Sequence, residues 1–354
     1  MVTSEYRFTL ELYTDDGAGL GTAAIEPDWG AAYEWARFDA LRRGRLTPET
    51  FHGDGVVQPV WDEKIGQPHV SGMQVLLENV AEGDKAVAGA AEILPITYFR
   101  PLAEAASGQL VKKGLLQEGD TFHYRVSARQ KNGEDAAGNR RILLREAGAP
   151  LAVHAGSLAA YLTRATVSGP DAADDIPVFF PTAVLDRIGA LVRAAGPCET
   201  GGMLLGRLCR DEAASELFAE VTAQLPALHT EADSASLTFT GETWSAARDA
   251  IRLRGDTEIL LGWYHSHPAK EWCKDCPPEK RRVCSLECFF SAADRQVHQT
   301  LFPHCYSIAL VATDGQRGLR YDLYGWRRTQ IVQRGYHTLA NSHGAAAMPA
   351  PQEE

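Results

Sequence analysis

GWYHSHP, residues 262–268, closes an apolar run that starts at Glu258 and is typical of a buried β-strand. Within it, His265 and His267 are two residues apart. Side chains alternate between the two faces of a strand, so both imidazoles are predicted to lie on the same face, as ligands of one metal ion must. For a histidine pair alone, a hydrogen-bonded pair at the surface or in the core is the simpler interpretation.

A second short segment supplies a carboxylate. Residues 291–294, SAAD, are predicted to begin a helix, and Ser291 and Asp294 share one helix face because they are three residues apart. Two neutral imidazole nitrogens and one carboxylate oxygen form the ligand set of a catalytic zinc site, whose fourth position is left to water. His265, His267 and Asp294 are therefore candidate metal ligands.

Glu199 lies upstream in the segment CETGGMLLG, residues 198–206, before a glycine pair and an apolar strand. Zinc can lower the pKa of its water to about 7, and a nearby glutamate can take the proton as that water attacks a carbonyl. Taken alone, Glu199 would be an ordinary solvent-facing residue at a strand end. Its neighbour Cys198 is predicted to be a small buried strand residue, since nothing in the sequence indicates the histidine base that a cysteine nucleophile needs.

Together these segments resemble the signature of the JAMM (MPN+) metalloprotease family, which includes zinc-dependent deubiquitinating isopeptidases and their archaeal and bacterial relatives. The resemblance covers roughly residues 176–328, under half of the chain. The residues that carry it are, in chain order, Glu199, Gly201, Gly202, Leu204, Gly206, His265, Ser266, His267, Pro268, Ser291 and Asp294. It implies an α/β fold in which helices flank a mixed β-sheet.

The resemblance also implies a role for each site residue. His265, His267 and Asp294 would bind the catalytic zinc, and a water molecule would complete the site. Glu199 would be the general acid and base. Ser291 would donate a hydrogen bond to the oxyanion of the tetrahedral intermediate, where charge develops in the transition state.

The residues beside the ligands have less specific roles. Ser266 stands between two ligands of one strand face, so it is predicted to point away from the metal and to pack or to bond the backbone. Trp263 and Tyr264 precede the ligands and are candidates for a groove that binds an extended peptide. Packing beneath the site is the alternative for both aromatic side chains.

Residues 268–290 separate the second histidine from Ser291, where compact family members have a short connection. Four of the chain's 7 cysteines lie in this segment in the spacing C-x2-C-x7-C-x3-C, namely Cys273, Cys276, Cys284 and Cys288. Four thiolates can hold one tetrahedral zinc, and a loop this short needs such a staple because it cannot build a core. A second, structural zinc is therefore predicted in a four-cysteine insertion over residues 269–290; two disulfides or unpaired surface thiols are the alternatives.

The composition is typical of a folded, water-soluble protein: of 354 residues, 45% are hydrophobic and 23% are charged. The 35 basic and 46 acidic side chains give a formal net charge of -11, which disfavours a general nucleic-acid binder. No run approaches the roughly 18 apolar residues of a membrane span, and the first 16 residues lack a basic start followed by an apolar stretch. A cytoplasmic location, with no nucleic-acid or membrane partner, is the expectation.

A mixed α/β domain of unknown role is predicted over residues 1–165. Alternation from Tyr6 to Leu12 indicates a strand, and the spacing of apolar residues from Trp29 to Ala40 indicates a helix. This domain could bind the substrate or a partner, and no residue in it carries chemistry that the sequence identifies.

Three boundaries follow from composition. A stretch with glycine, proline and aspartate marks an exposed linker at residues 166–176. The JAMM-like domain is then expected over residues 177–335. Residues 336–354, rich in alanine and proline towards their end, are expected to form a disordered tail.

The expected function is zinc-dependent hydrolysis of the peptide or isopeptide bond after the C-terminus of a ubiquitin-like protein, by deconjugation, precursor maturation or both. The substrate class comes from the resemblance. A composition rich in alanine, glycine and arginine suggests a bacterial chain, and bacterial relatives occur beside activating-enzyme-like and conjugating-enzyme-like proteins, including in antiphage defence. Two alternatives stay open: maturation of sulfur-carrier proteins in cofactor biosynthesis, and a non-catalytic MPN binding scaffold.

Overall fold

The fold is taken from a computed structural model. It describes residues 2–3, 6–49, 55–62, 69–77, 91–117, 119–130, 151–170, 172–227, 231–232, 237–255, 257–277 and 289–340. The chain forms two compact units, Met1–Leu151 and Ala152–Glu354. Each unit contains helices and β-sheet, which confirms the predicted α/β class. None of the helices in these ranges combines the length and the apolar character that crossing a membrane requires.

The first unit contains two sheets in its described part. Their strand orders are β3-β2-β7 and β1-β4-β5-β6. The strands are β1 (Val2–Thr3), β2 (Tyr6–Tyr13), β3 (Gly19–Ile25), β4 (Gly55–Asp62), β5 (His69–Leu77), β6 (Ala91–Pro95) and β7 (His123–Gln130), and the helices are α1 (Trp29–Arg42) and α2 (Arg100–Lys112). Phe8, Leu10 and Leu12 of β2 are buried, so the predicted alternation is confirmed.

The second unit is built around one large mixed sheet. Among the described residues its strand order is β18-β17-β16-β15-β11-β12-β10-β19-β9, and β8 also pairs with β11. The strands are β8 (Val153–Ala155), β9 (Ala165–Ser168), β10 (Val178–Pro181), β11 (Gly201–Asp211), β12 (Glu216–Pro226), β13 (Glu231–Ala232), β14 (Leu237–Thr238), β15 (Ile259–His267), β16 (Ile308–Gly315), β17 (Gly318–Arg327), β18 (Gln330–Arg334) and β19 (Tyr336–Leu339). Of these strands, β13 and β14 form a separate two-stranded sheet. The helices are α3 (Leu158–Leu162), α4 (Thr182–Ala195), α5 (Gly241–Leu253), α6 (Ala269–Trp272) and α7 (Ala292–Leu301).

The apolar core of the second unit surrounds β15. Trp263 of this strand packs with Phe302 and with Val311 of β16, and Ala247 of α5 and Val297 of α7 pack into the same cluster. β15 pairs in parallel with β16 and in antiparallel with β11, so it lies inside the sheet. A strand that is buried on both faces reads as a nearly continuous apolar run, which is the pattern of its sequence.

The first domain boundary lies earlier than composition predicted. Residues 152–165 belong to the second unit, because β8 pairs with β11 and β9 pairs with β19. The predicted linker, residues 166–176, is also part of that unit: it contains the end of β9 and Asp175, whose side chain is only 6% exposed. A short polar segment looks like a linker in the sequence because its binding partners are more than a hundred residues away.

The predicted start of a disordered tail is wrong by several residues. β19 (Tyr336–Leu339) pairs in parallel with β10 and in antiparallel with β9. Tyr336 and Leu339 are buried, so this strand closes the sheet rather than leaving it. The rest of the predicted tail, residues 341–354, lies outside the described residues.

Asp175 joins the predicted linker to the sheet through two arginines. Arg327 donates two hydrogen bonds to its carboxylate, from Nε to Oδ1 at 2.8 Å and from Nη2 to Oδ2 at 2.6 Å. Nε of Arg334, a side chain that is 1% exposed, lies 3.6 Å from the same carboxylate. We expect Asp175→Asn to lower the free energy of unfolding by about 3 kcal/mol, because it removes the counter-charge of a buried guanidinium.

Urea denaturation measures this effect, and Asp174→Asn is the matched control. Asp174 pairs with Arg328 at 3.1 Å, but both side chains are about half exposed, at 53% and 46%. Removal of such a surface charge changes the free energy of unfolding by less than about 1 kcal/mol. Equal effects of the two substitutions would mean that Asp175 does not anchor this segment.

Candidate metal centre

His265 and His267 lie at the end of β15, between β11 and β16. Both side chains are buried, with exposed fractions of 1% and 2%. Their rings meet on one face of the strand, as the period of two predicts, and the two Nε2 atoms are 3.0 Å apart. The strand thus brings two imidazole lone-pair positions to one point inside the protein.

Asp294 reaches the histidines from the first turn of α7. Ser291 caps this helix: its Oγ accepts a hydrogen bond from the Asp294 backbone N–H at 3.0 Å, and its own N–H donates to Oδ2 of Asp294 at 2.8 Å. The reciprocal pair is a capping box, which satisfies two backbone donors that the helix leaves open. It also fixes the carboxylate, so that Oδ1 lies 3.4 Å from Nε2 of His265.

The three side chains fit a zinc ion. Their ligand atoms all lie within 4.8 Å of one another. Ligands about 2.0–2.1 Å from a tetrahedral zinc are about 3.3 Å from each other, and the structure has 3.0 Å between the two nitrogens and 3.4 Å between nitrogen and oxygen. A cation at this point would also balance a carboxylate that is placed among buried groups.

The ionisation of these groups suits metal binding. Burial and, to a smaller extent, the neighbouring His265 lower the pKa of His267 to about 3, although Asp294 acts in the opposite direction. Burial alone would raise the pKa of Asp294, but the hydrogen bond and charge of His265 and the hydrogen bonds from Ser291 outweigh it and lower that pKa. At neutral pH the site therefore offers a neutral imidazole at His267 and an ionised carboxylate, which are the forms that bind a metal.

Glu199 stands on the neighbouring strand edge. In the antiparallel pairing of β11 and β15, Gly201 is opposite His265 and Gly202 is opposite Tyr264. Thr200 continues this register, because its N–H donates to Oγ of Ser266 at 2.9 Å and its carbonyl accepts from the Ser266 N–H at 2.8 Å. Glu199 precedes Thr200, and a continuation of this register beyond the strand would put it opposite His267, on the face that carries both histidines.

The environment of Glu199 is buried, with an exposed fraction of 8%. It is not a member of the three-residue ligand cluster. The structure therefore does not assign Glu199 as a fourth ligand, and the role of general acid and base stays a prediction from the resemblance. Ser266, which the sequence analysis predicted to face away from the metal, does so and binds the backbone of Thr200.

Ser291 caps α7 beside the carboxylate of Asp294. It is half-buried at the helix start, next to the ligand carboxylate. Its oxygen accepts from the Asp294 N–H, and a hydroxyl keeps one donor of its own. The predicted hydrogen bond to an oxyanion is compatible with this position, although the sequence analysis did not foresee the capping role.

Trp263 and Tyr264 are not exposed to a groove. Their exposed fractions are 2% and 0%. Nε1 of Trp263 donates to Nδ1 of His298 at 3.1 Å, and the Tyr264 hydroxyl donates to Gln224 at 2.8 Å. Both side chains pack beneath the site, so the groove interpretation is wrong for the described structure, for the reason that β15 is covered on both faces.

Aromatic rings hold the two histidine ligands. Trp263 stacks on His265 at a centroid distance of 4.8 Å and an interplanar angle of 15°. Phe289 stacks on His267 at 4.5 Å and 24°, and Trp272 lies 5.0 Å from the same ring. The sequence analysis did not predict these contacts, since Phe289 has no periodic pattern that would place it against a residue 22 positions earlier.

The cysteine cluster is only partly described. Cys273 is buried and Cys276 is half-buried, in a turn directly after α6 in which the Cys276 N–H donates to the Cys273 carbonyl at 3.1 Å. Cys284 and Cys288 lie outside the described residues, so the predicted four-thiolate site stays a prediction. Cys198 is exposed in the turn before β11, which corrects its predicted burial: the strand starts only at Gly201.

Comparison with known proteins adds little to this geometry. No protein-family model matches the sequence, and no curated protein matches it. Among solved structures, the chain is similar to the solution structure of a protein from Desulfitobacterium hafniense, with a TM-score of 0.32 and 17% sequence identity over 46% of this chain and 92% of that one. A similarity at this level carries no argument about fold or function.

Proposed function

We propose that this chain is a zinc-dependent metallopeptidase of the JAMM type. The observation that carries the proposal is the buried convergence of His265, His267 and Asp294, with a buried Glu199 two residues before the adjoining strand β11. A histidine pair that served packing alone would need neither a carboxylate fixed by a capping box nor a second buried carboxylate beside it. The order of these residues in the chain, which resembles the family signature, points the same way.

Each residue of the site has a separate role in the proposed hydrolysis. Zinc held by His265, His267 and Asp294 would supply an activated water and polarise the carbonyl of the scissile bond. Glu199 takes a proton from the attacking water and returns it to the leaving amine, which one carboxylate can do in both directions. Ser291 turns its hydroxyl towards the oxyanion, where a donor is worth most because the negative charge develops there.

The proposed substrate is a ubiquitin-like protein or its conjugate, cleaved after its C-terminus. This step rests on the resemblance, as do the activating-enzyme-like and conjugating-enzyme-like partners and a role in antiphage defence. The bacterial setting rests on the composition, and a cytoplasmic location is proposed with it. The first unit is proposed to bind the substrate or a partner. A panel of fusions with ubiquitin-like and sulfur-carrier proteins, each with a reporter after the C-terminal glycine, distinguishes deconjugation chemistry from cofactor-pathway maturation.

A second, structural zinc is proposed in the insertion. α6 begins shortly after His267 and ends just before Cys273. The turn from Cys273 to Cys276 places two thiols three residues apart, a spacing at which zinc ions are commonly bound. The insertion would then be stapled next to Trp272, which contacts a ligand of the catalytic site.

Counting zinc by native mass spectrometry tests both metal sites without a guess about the substrate. We expect two zinc ions per chain in protein purified without chelator. Asp294→Asn should lose the catalytic ion and Cys276→Ser the structural one, because each removes an anionic ligand. Asp211→Asn, at a buried carboxylate that caps α3 by accepting from the Leu158 N–H at 2.7 Å, is the matched control and should keep both.

Each other count has a defined meaning. One ion, lost in Cys276→Ser but kept in Asp294→Asn, would contradict the catalytic site and leave the chain as a scaffold. One ion, lost in Asp294→Asn but kept in Cys276→Ser, would contradict only the four-cysteine site. No ion at all would overturn the metallopeptidase proposal.

A further inference from the structure

α7, the helix that carries the candidate ligand Asp294, also carries a histidine that is connected to the candidate ligand His265. His298 follows Asp294 by four residues on α7, so both lie on the same helix face. It is completely buried, with an exposed fraction of 0%. Its Nδ1 accepts the hydrogen bond from Nε1 of Trp263 at 3.1 Å. Trp263 in turn lies flat against the ring of His265.

His265 lacks the usual support of a metal-binding histidine. Such a residue normally donates its second ring N–H to a carboxylate or a carbonyl, which fixes the plane of the ring. Nδ1 of His265 is buried and has no hydrogen-bond partner among the residues that the structure describes. The flat contact with the Trp263 indole, at 4.8 Å and 15°, is therefore the interaction that sets the orientation of this ring.

The Trp263 indole can orient the His265 ring only if its own orientation is fixed. A tryptophan ring can turn about its side-chain torsions, and a hydrogen bond to Nε1 selects one orientation. His298 provides that acceptor from the same helix that carries Asp294. Asp294 on α7 and His265 on β15 are thus connected by one series of contacts, through His298 and Trp263.

We propose that His298 is a positioning residue of the metal centre, which orients His265 by fixing the Trp263 indole against it. The inference rests on the proposed metal site and adds to it a residue that neither the ligand set nor the proton transfer requires.

His298 stays in the form that this task needs. A ring that accepts a hydrogen bond at Nδ1 must be neutral. Burial and, to a smaller extent, the Arg334 guanidinium lower the pKa of His298 to about 3, although the backbone of Ser307 acts in the opposite direction. The acceptor is therefore present throughout the physiological pH range.

Cobalt(II) provides the test, because its visible d–d bands report ligand geometry as well as occupancy. We expect His298→Leu, which removes the acceptor at similar volume, to weaken Co²⁺ binding about 10- to 100-fold, as loss of a partner behind a ligand commonly does. The d–d bands should shift as well. His298→Asn, whose amide oxygen can take the place of Nδ1, should restore most of the affinity and the wild-type spectrum.

Tyr321→Phe is the matched control. The Tyr321 hydroxyl donates to the Leu185 carbonyl at 2.6 Å in the same unit. Tyr321 is opposite Ala312, which is opposite Ser266, so it lies on the sheet face away from His265 and His267. The variant loses a half-buried hydrogen bond, so we expect lower thermal stability with unchanged Co²⁺ affinity and spectrum. Trp263→Phe, which loses the N–H but keeps a ring, should instead shift the spectrum, and it tests the same hydrogen bond if His298→Leu does not fold.

The outcomes separate this inference from the proposed function. Wild-type affinity and spectrum in His298→Leu or in Trp263→Phe would overturn the positioning role and leave the metal site intact. A spectral shift of equal size in Tyr321→Phe would also overturn it, because the effect would then be one of general stability and not of the contacts behind His265. Absence of Co²⁺ binding in the wild-type protein would remove the metal site itself.

Discussion

Glu199→Gln is expected to lower the turnover of a cleavable ubiquitin-like fusion by about 10²- to 10⁴-fold, the usual contribution of a positioned acid and base. Glutamine has nearly the shape of glutamate, so the edge of β11 and its register with β15 are retained. It cannot take a proton from water at neutral pH. Zinc content and thermal stability should therefore match the wild type. The rate of cleavage, measured as release of the fused reporter, should fall by the factor given above.

The control for this prediction is Glu212→Gln, the same chemical change at the far end of β11. The Glu212 side chain is 79% exposed and pairs with Arg210 at 3.0 Å, so its loss should leave cleavage unchanged. Turnover of Glu199→Gln within tenfold of the wild type would remove Glu199 from the mechanism. Loss of zinc in that variant would instead make Glu199 part of the metal site.

Gly262→Ala is expected to have the largest effect on folding, lowering the free energy of unfolding by more than about 3 kcal/mol. Gly262 pairs with Ile308 of β16, and an added Cβ would lie 1.8 Å from the Ile308 carbonyl oxygen. Backbone atoms of two paired central strands cannot move apart without breaking their ladder, and strain of this kind commonly costs 1–3 kcal/mol even when side chains can give way. Thermal or urea denaturation measures the loss.

Gly241→Ala is its control in the same unit. Gly241 begins α5, and no heavy atom lies within 4 Å of the Cβ that it would gain. Alanine favours helix more than glycine does, so this variant should be as stable as the wild type or more stable. A Gly262→Ala protein with wild-type stability would show that β15 and β16 are further apart than the structure has them. The position of His265, three residues later on β15, would then also be in question.

The ligands could be predicted because their spacing is local. Two residues along a strand place His265 and His267 on one face, and three residues along a helix place Ser291 beside Asp294; the structure confirms both. Glu199 could be proposed only through its resemblance to a signature. Its place just before Gly201, which is opposite His265, depends on the pairing of β11 with β15, and the patterns of these two separate strands do not reveal that pairing.

The errors of the sequence analysis have the same origin. The segment around Asp175 is polar and short, so it was predicted to be a linker, yet Arg327 and Arg334 bury it against the sheet. Trp263 and Tyr264 were candidates for a groove because they precede the ligands, and the layers above and below β15 cover them. In each case distant residues decided the exposure, and no local pattern carries that information.

The amino-acid sequence by itself determined the α/β class, the elements that carry the ligands and the chemical types that meet at the candidate metal centre. These depend on periodicity and on helix capping, which act within a few residues. Only the tertiary structure decided that Glu199 is buried just before the strand that pairs with β15, that aromatic rings hold the ligands and that His298 lies behind them. Such contacts join elements far apart in the chain, and they form because strand register and core packing exclude the alternatives.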